Sequence, residues 1–227
     1  MMEKMDEKAV LIVVAAGEGR RFGTDKMFAV LCGKPVFIHA LERLAPAVKR
    51  VVLVVSAGRE AEFRAAVAKY LPQLALKIVA GGATRTGSVK RGVAAAELRF
   101  GELAAVHDAA RPLATSELLQ KLCRKAREVG GAVPGFPQAD AQKLTDENGM
   151  ILDDLPRKNV WNVGTPQVFR AELLLRACDA PEAAECLDDA EAVRKVGGKV
   201  AVVPSDEPNT KLTVPADLKV IEDALSR

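Results

Sequence analysis

Ala9-Val10-Leu11-Ile12-Val13-Val14-Ala15-Ala16 runs without a break into Gly17-Glu18-Gly19-Arg20-Arg21-Phe22-Gly23-Thr24-Asp25-Lys26, and the rest of the chain is read from this stretch. Eight successive apolar residues, four of them β-branched, show no polar face, the pattern of a strand covered on both sides. Further along, Pro35 to Leu44 is a helix with Pro at its first turn, and Arg50 to Ser56 is a second apolar strand. The alternation continues: helix Arg59 to Leu71, strand Leu74 to Val79, helix Thr86 to Leu98, strand Leu103 to His107, helix Thr115 to Val129, strand Gly131 to Pro134. Buried strands alternating with amphipathic helices define an α/β fold, a mostly parallel sheet sandwiched by helices.

The rhythm breaks over residues 137–160. Ala141 to Thr145 and Met150 to Asp153 flank Asp146-Glu147-Asn148-Gly149, a hairpin signal. A lone two-stranded hairpin is marginal in water, so this inserted arm needs a partner surface, and self-association through it is the expectation. Beyond it come Val163 to Phe169, helices Arg170 to Cys178 and Leu187 to Val196, a strand Lys199 to Val203, and a terminal helix Pro215 to Ser226. The chain reads as one domain over 1–227, with 137–160 as the inserted β-arm.

Composition narrows the function. In 227 residues, 49% hydrophobic and 28% charged, 33 Lys and Arg oppose 30 Asp and Glu for a net +3. That is too small and too interspersed for a surface built on nucleic acid or anionic lipid, so anion binding must be local. Two His, His39 and His107, exclude a His-rich metal site and read as packing residues. Cys32, Cys123, Cys178 and Cys186 show no CxxC spacing. With no signal-peptide pattern and no apolar run of membrane-spanning length, they read as reduced thiols in a cytoplasmic protein.

The glycine-rich segment after the first strand brings backbone N–H groups and the cations Arg20, Arg21 and Lys26 to one strand end, where a phosphate would sit. As a generic pattern it fits a glycine turn with solvated basic residues equally well. The GxGxxG fingerprint fails at Phe22, and Walker A fails for want of GK[ST]. In Val106-His107-Asp108-Ala109-Ala110-Arg111-Pro112, Asp108 lies just beyond a buried strand, at the edge where parallel sheets bind ligands. It suits either a helper of phosphate-bound Mg²⁺ or a cap paired with Arg111. Arg157, Trp161 and Lys211 carry no claim from spacing alone.

Together these segments resemble one family. AAGxGxR with a following Lys, Gly81-Gly82-Ala83-Thr84-Arg85-Thr86-Gly87-Ser88, HDAARP at 107–112, Thr165-Pro166-Gln167 and Asn209-Thr210-Lys211-Leu212-Thr213 occur in the order found in 2-C-methyl-D-erythritol 4-phosphate cytidylyltransferases. The resemblance spans Val10 to about Leu225; HDAARP and TPQ are its specific parts. It implies a Rossmann-like, GT-A-like nucleotidyltransferase sheet and Mg²⁺-dependent transfer of CMP from CTP to methylerythritol phosphate, a step of non-mevalonate isoprenoid synthesis. The acceptor brings its own nucleophile, so no Ser-His or Cys-His device is expected.

By the same resemblance, Arg21 and Lys26 stabilise the transition state. Ala15, Ala16, Gly17, Gly19, Gly82, Ser88 and Asp108 bind CTP. Asp108, Arg111, Arg157, Thr165 and Lys211 bind the acceptor, with Arg157 and Lys211 gripping its phosphate, and Asp108 stands nearest Mg²⁺. The family's arm lends residues across a homodimer, so Arg157 is expected to serve the neighbouring protomer. The chain departs from the family pattern at Val14, at Asp25-Lys26-Met27, at Ala83 and at Ala141, where a first-strand Pro, Pro-Lys-Gln, an Asp and a Thr are usual. The alternatives are a cytidylyltransferase for another polyol phosphate such as ribitol 5-phosphate, and a catalytically silent nucleotide-binding protein. A nicotinamide dehydrogenase fits least, since Ser56 follows Val55 where an acidic residue would close the second strand.

Overall fold

The computed structural model describes residues 8–17, 22–23, 25–205 and 209–226. In chain order it begins with β1 (Ala9–Ala15), a small ribbon β2 (Val30–Leu31) and β3 (Lys34–Pro35), α1 (Val36–Leu44), β4 (Val48–Val55), α2 (Glu60–Tyr70), β5 (Lys77–Ala80), α3 (Arg85–Ala96) and β6 (Leu103–Asp108). It continues with α4 (Ser116–Val129), β7 (Gly131–Pro137), β8 (Gln142–Thr145), β9 (Ile151–Leu155), β10 (Trp161–Val163), β11 (Gln167–Arg170), α5 (Ala171–Asp179), α6 (Asp189–Lys195), β12 (Val200–Pro204) and α7 (Asp217–Leu225).

Eight strands among the described residues form one sheet. β5, β4, β1 and β6 are parallel neighbours, and β11 lies antiparallel between β6 and β7. On the side of β7 that faces β11, β10 continues the pairing antiparallel; β12 runs parallel to β7 on its other side. The expected segment Val163 to Phe169 is thus two short antiparallel strands. Pro166, joined to Thr165 by a cis peptide bond, has no N–H for a ladder, so pairing stops after Gly164, whose N–H still donates to the Pro134 carbonyl at 3.0 Å.

Strand alternation builds two cores. Leu11, Val13, Leu53, Val55, Leu103 and Ala105 face α1, α2, α4 and α7, where Phe37, Leu41, Phe63, Leu119 and Ile221 are buried. Val10, Ile12, Val52, Val54, Ala104 and Val106 face α3, α5 and α6, meeting Val89, Val93, Leu174 and Val193. Full burial of such a side chain is worth about 1.5–3 kcal/mol, so the apolar run of β1 is the anchor of both layers. On α3, Gly92 is required by proximity: a Cβ there would lie 2.5 Å from Ile12 Cγ2 and 2.7 Å from Val54 Cγ2. The helix therefore lies almost against the sheet.

The arm is present. Pro137 pairs with Trp161, and Gln138 N–H donates to the Val160 carbonyl at 3.1 Å, closing its base; β8 and β9 beyond pair only with each other among the described residues. Its loop is longer than an Asn-Gly turn. Asp146 Oδ1 accepts from the N–H groups of Asn148 and Met150, and only Gly149 takes a positive φ, +81°. Leu144, Met150, Ile151, Leu152 and Leu155 are all exposed on it.

Further differences from the sequence expectations are local. β5 begins at Lys77 because Leu71 to Leu74 turns instead of extending, and α6 begins at Asp189 because Asp188 caps it, accepting from Glu191 N–H at 2.9 Å. His39 is buried in α1 with Nε2 2.6 Å from the Leu31 carbonyl, which ties down the β2–β3 ribbon. None of the four cysteines is joined in a disulfide, and burial pushes the Cys178 thiol up to about 12.

Candidate active site

Register places the carboxyl ends of the parallel strands side by side: Ala15 opposite Val55, Val55 opposite Ala80, and Val14 opposite Asp108. The loops leaving these ends enclose a cleft of about 890 Å³. Its wall includes Ala15, Ala16, Gly17, Lys26, Gly82, Ser88, Asp108 and Lys211, eight of the residues singled out from the sequence. Gly19 and Arg21 lie outside the described residues.

The floor of the cleft is tight. Gly81 N–H donates to Val55 O at 2.7 Å, and a Cβ on Gly81 would lie 2.5 Å from Ala16 Cβ. Thr84 caps α3 by accepting from Gly87 N–H at 3.0 Å. Ser88, 2% exposed, accepts from Gly82 N–H at 3.1 Å and sits 2.9 Å from the Thr84 carbonyl. Its hydroxyl thus holds the glycine loop in shape. Arg91, which carried no signal in the sequence, donates to Gly81 O at 2.8 Å and braces the same loop from α3.

Lys26 is carried on a turn fixed from both sides. Asp25 Oδ1 accepts from Met27 N–H at 3.1 Å, its other oxygen pairs with Arg59, and Met27 is buried. The Arg59 guanidinium lies 5.1 Å from the Phe28 ring centre and 5.4 Å from that of Phe63.

Asp108 is the only carboxylate lining this cleft among the described residues. Its N–H donates to Thr165 Oγ1 at 3.0 Å, Arg85 Nε lies 3.3 Å from Oδ1, Lys211 Nζ 2.7 Å from Oδ2, and Arg111 Nε 4.0 Å from Oδ2. Burial by itself would push the carboxyl up; Arg85, Lys211 and Arg111 together outweigh it and hold Asp108 well below the usual carboxylate range. Asp108 therefore does not merely cap the next turn with Arg111; it is the centre of a cluster. Among the described residues no group of three or more His, Cys, Asp or Glu is placed to hold a metal. A single carboxylate fits a Mg²⁺ that takes most of its ligands from phosphates and water.

His107 lies behind this cluster, fully buried, with Nδ1 3.1 Å from Thr165 Oγ1 and Nε2 3.0 Å from Arg111 O. The Arg111 carbonyl can only accept, so His107 Nε2–H donates to it; Nδ1 of the neutral ring then accepts from the Thr165 hydroxyl, whose oxygen still accepts from Asp108 N–H. Burial, opposed by Asp108, lowers the imidazole to about 4, consistent with this neutral form. The TPQ motif acts here: Thr165 fixes Asp108 and His107, while Gln167 reaches α6, accepting from Ala190 N–H at 3.0 Å and donating to Asp188 at 2.8 Å.

A second cleft of about 550 Å³ adjoins the first and shares Lys211 with it. Arg111, Phe136, Asn162, Val163, Asn209 and Thr210 contribute to its wall. Arg111 Nη1 donates to Asn209 O at 2.8 Å, Asn209 Nδ2 to Thr165 O at 2.6 Å, and Leu212 N–H to Ala110 O at 2.8 Å, so the 209–212 segment is tied along the Asp108 loop. Arg157 occupies an exposed turn, Arg157–Asn159, after β9 within the arm and lines neither cleft of its own protomer. Two charged residues that the sequence left unassigned complete the picture. Arg85, the first residue of α3, bridges Asp108 to Asp189, the nearly buried first residue of α6. Arg85 stood inside the quoted glycine segment; Asp189 had no signal in the sequence.

The family model for 2-C-methyl-D-erythritol 4-phosphate cytidylyltransferase matches residues 9–227. The protein of that name from Bacillus licheniformis is 37% identical over 221 residues, 95% of this chain and 94% of the relative. The one from Carboxydothermus hydrogenoformans is 38% identical over 229 residues, 97% of each chain. The crystal structure of 2-C-methyl-D-erythritol 4-phosphate cytidylyltransferase from Thermus thermophilus superposes with a TM-score of 0.78 at 28% identity, covering 97% of this chain and 100% of that one. On the full-length model match and these near full-length identities, the chain belongs to the 2-C-methyl-D-erythritol 4-phosphate cytidylyltransferase family.

Proposed function

We propose that the protein transfers CMP from CTP to 2-C-methyl-D-erythritol 4-phosphate, releasing pyrophosphate, in isoprenoid precursor synthesis. An oxygen of the acceptor phosphate forms a bond to the α-phosphorus of CTP as the bond from that phosphorus to the β-phosphate oxygen breaks; both electrons of that bond leave with pyrophosphate. The observation that carries the reading is Lys211, a cation common to both clefts and paired with Asp108 between them. Two anionic substrates that must meet need a positive charge where they meet.

In this reading Ala15, Ala16, Gly17, Gly19 and Gly82 cradle CTP, with Ser88 holding the glycine loop. Lys26 and Arg21 stabilise charge on the transferring and leaving phosphates. Asp108 would stand beside a Mg²⁺ brought in with the CTP phosphates, which when bound would supply further charge neutralisation. Arg111 and Lys211 receive the acceptor, and Thr165 orients Asp108 from beneath. Arg157 serves the partner's site, a role supported by its exposure outside both clefts of its own protomer. We read 1–227 as one nucleotidyltransferase domain and 137–160 as its dimerisation arm. The exposed apolar residues of the arm support a homodimer. Four cysteines that form no disulfide support a reducing, cytoplasmic setting.

The test is pyrophosphate release from CTP and Mg²⁺ with methylerythritol phosphate and ribitol 5-phosphate offered in parallel. Turnover with the first alone is expected. Turnover only with the second would reassign the acceptor, and silence with both would sink the enzymatic reading.

A further inference from the structure

Arg85 reaches in two directions from the start of α3. Its Nε lies 3.3 Å from Asp108 Oδ1 and its Nη2 2.9 Å from Asp189 Oδ2, so one guanidinium spans β6 and α6. Asp189 is 6% exposed and lines neither cleft. Burial pushes its carboxyl up in spite of Arg85, so the charge is held at a cost. Anchoring of α6 does not explain that cost. Asp188 already caps the helix, and Gln167 already binds both Asp188 and Ala190 N–H. What Asp189 adds is a fixed orientation for Arg85, which does line the nucleotide cleft. Without it the guanidinium is free to swing wholly onto Asp108 or into the cleft, and Asp108 is free to swing wholly onto Lys211.

We propose that Asp189 is a positioning residue for the transfer: it holds Arg85, and through Arg85 sets the Asp108 carboxylate between the nucleotide cleft and Lys211. This role rests on the transferase reading. It acts on the geometry of the reacting pair rather than on substrate affinity, which sets its kinetic signature apart from that of a purely structural ion pair.

The experiment compares wild type, Asp189→Asn, Asp189→Glu, Arg85→Lys and the Asp189→Asn/Arg85→Lys pair. Steady-state pyrophosphate release is measured with CTP, Mg²⁺ and methylerythritol phosphate, CTP binding by calorimetry, and the folded fraction by thermal unfolding. Asp189→Asn is expected to lower kcat about tenfold with KM for CTP within about twofold. Asp189→Glu should recover part of the loss, and the double variant should be no slower than Arg85→Lys alone. Unchanged kcat in folded Asp189→Asn, or losses that multiply in the double variant, would overturn the role. If Asp189→Asn does not fold, Asp189→Glu decides the matter, since it must then lower kcat at unchanged CTP affinity. A wild type that binds CTP yet releases no pyrophosphate sinks the transferase reading and this role together, whereas an active wild type beside an equally active Asp189→Asn sinks this role only.

Discussion

Lys211 Nζ lies 2.7 Å from Asp108 Oδ2 across a sequence separation of 103 residues, and this pair stands where the two clefts meet. A contact so distant along the chain is brought about by the bonds from Arg111 to Asn209 O, from Asn209 to Thr165 O and from Leu212 N–H to Ala110 O, which lay the late segment along the loop after β6. Replacement of Lys211 by Ala is expected to lower kcat/KM for the acceptor phosphate by about 10²- to 10³-fold, the cost of one electrostatic donor at a transition state. CTP affinity should change far less, because Lys26 and the glycine loop remain. Initial rates at varied acceptor, together with CTP calorimetry, check both halves of this expectation.

The proposed sharing of sites between protomers predicts complementation. Arg157→Ala and Lys26→Ala are each expected to be inactive alone. In a mixed dimer one site collects both lesions and the other is intact, so random mixing should restore about a quarter of wild-type activity in a symmetric dimer. Absence of recovery in verified heterodimers would place Arg157 in its own protomer's chemistry.

Gly92 is expected to tolerate no side chain. Ala is the better helix former by up to about 1 kcal/mol, but a methyl 2.5 Å from Ile12 Cγ2 must push α3 off the sheet, at about 1–3 kcal/mol. Net destabilisation should appear in urea unfolding of Gly92→Ala. Because α3 also carries Arg85 and Ser88, activity should fall with it.

Stability should depend on His107. Its imidazole, about 4 in the fold because of burial, returns to about 6.5 when unfolded. The folded protein binds fewer protons in that interval, so the contribution is complete above about pH 6.5 and is lost as pH falls to about 4, on the order of 3 kcal/mol. Urea midpoints at pH 7, 5.5 and 4.5 measure this. In His107→Gln the protein should be less stable at pH 7 but lose that part of the slope. Asp108 adds its own loss from about pH 4 downward, where the carboxyl of the unfolded chain begins to protonate while the folded one, held low by Arg85, Lys211 and Arg111, stays ionised.

The alternation of β1, β4 and β6 with α1, α2, α3 and α4 was legible because each strand is buried on both faces and each helix on one, so the pattern lies in consecutive residues. Pro166 marked a break within Val163 to Phe169, but that Val163 pairs with β7 alone while Val168 and Phe169 lie between β6 and β7 was not legible, because it depends on which strands the fold sets beside them. Lys26, Asp108, Arg111 and Lys211 were picked out by their order along the chain, and the fold brings them to the walls of the two clefts. Arg85 and Asp189 were not assigned, because a buried ion pair between two helix starts leaves no local periodicity.

The α/β layering, the hairpin after β7 and the family therefore follow from sequence, since hydrophobic period and motif order are properties of neighbouring residues. Three things needed the folded chain: that Ser88 and Thr165 spend their hydroxyls within the protein, that Arg157 lies away from its own clefts, and that Asp108 is shared among Arg85, Lys211 and Arg111. The physical reason is that the net interaction of a charge depends on its distances to every other charge and on the water that burial removes, and these exist only once the chain has folded.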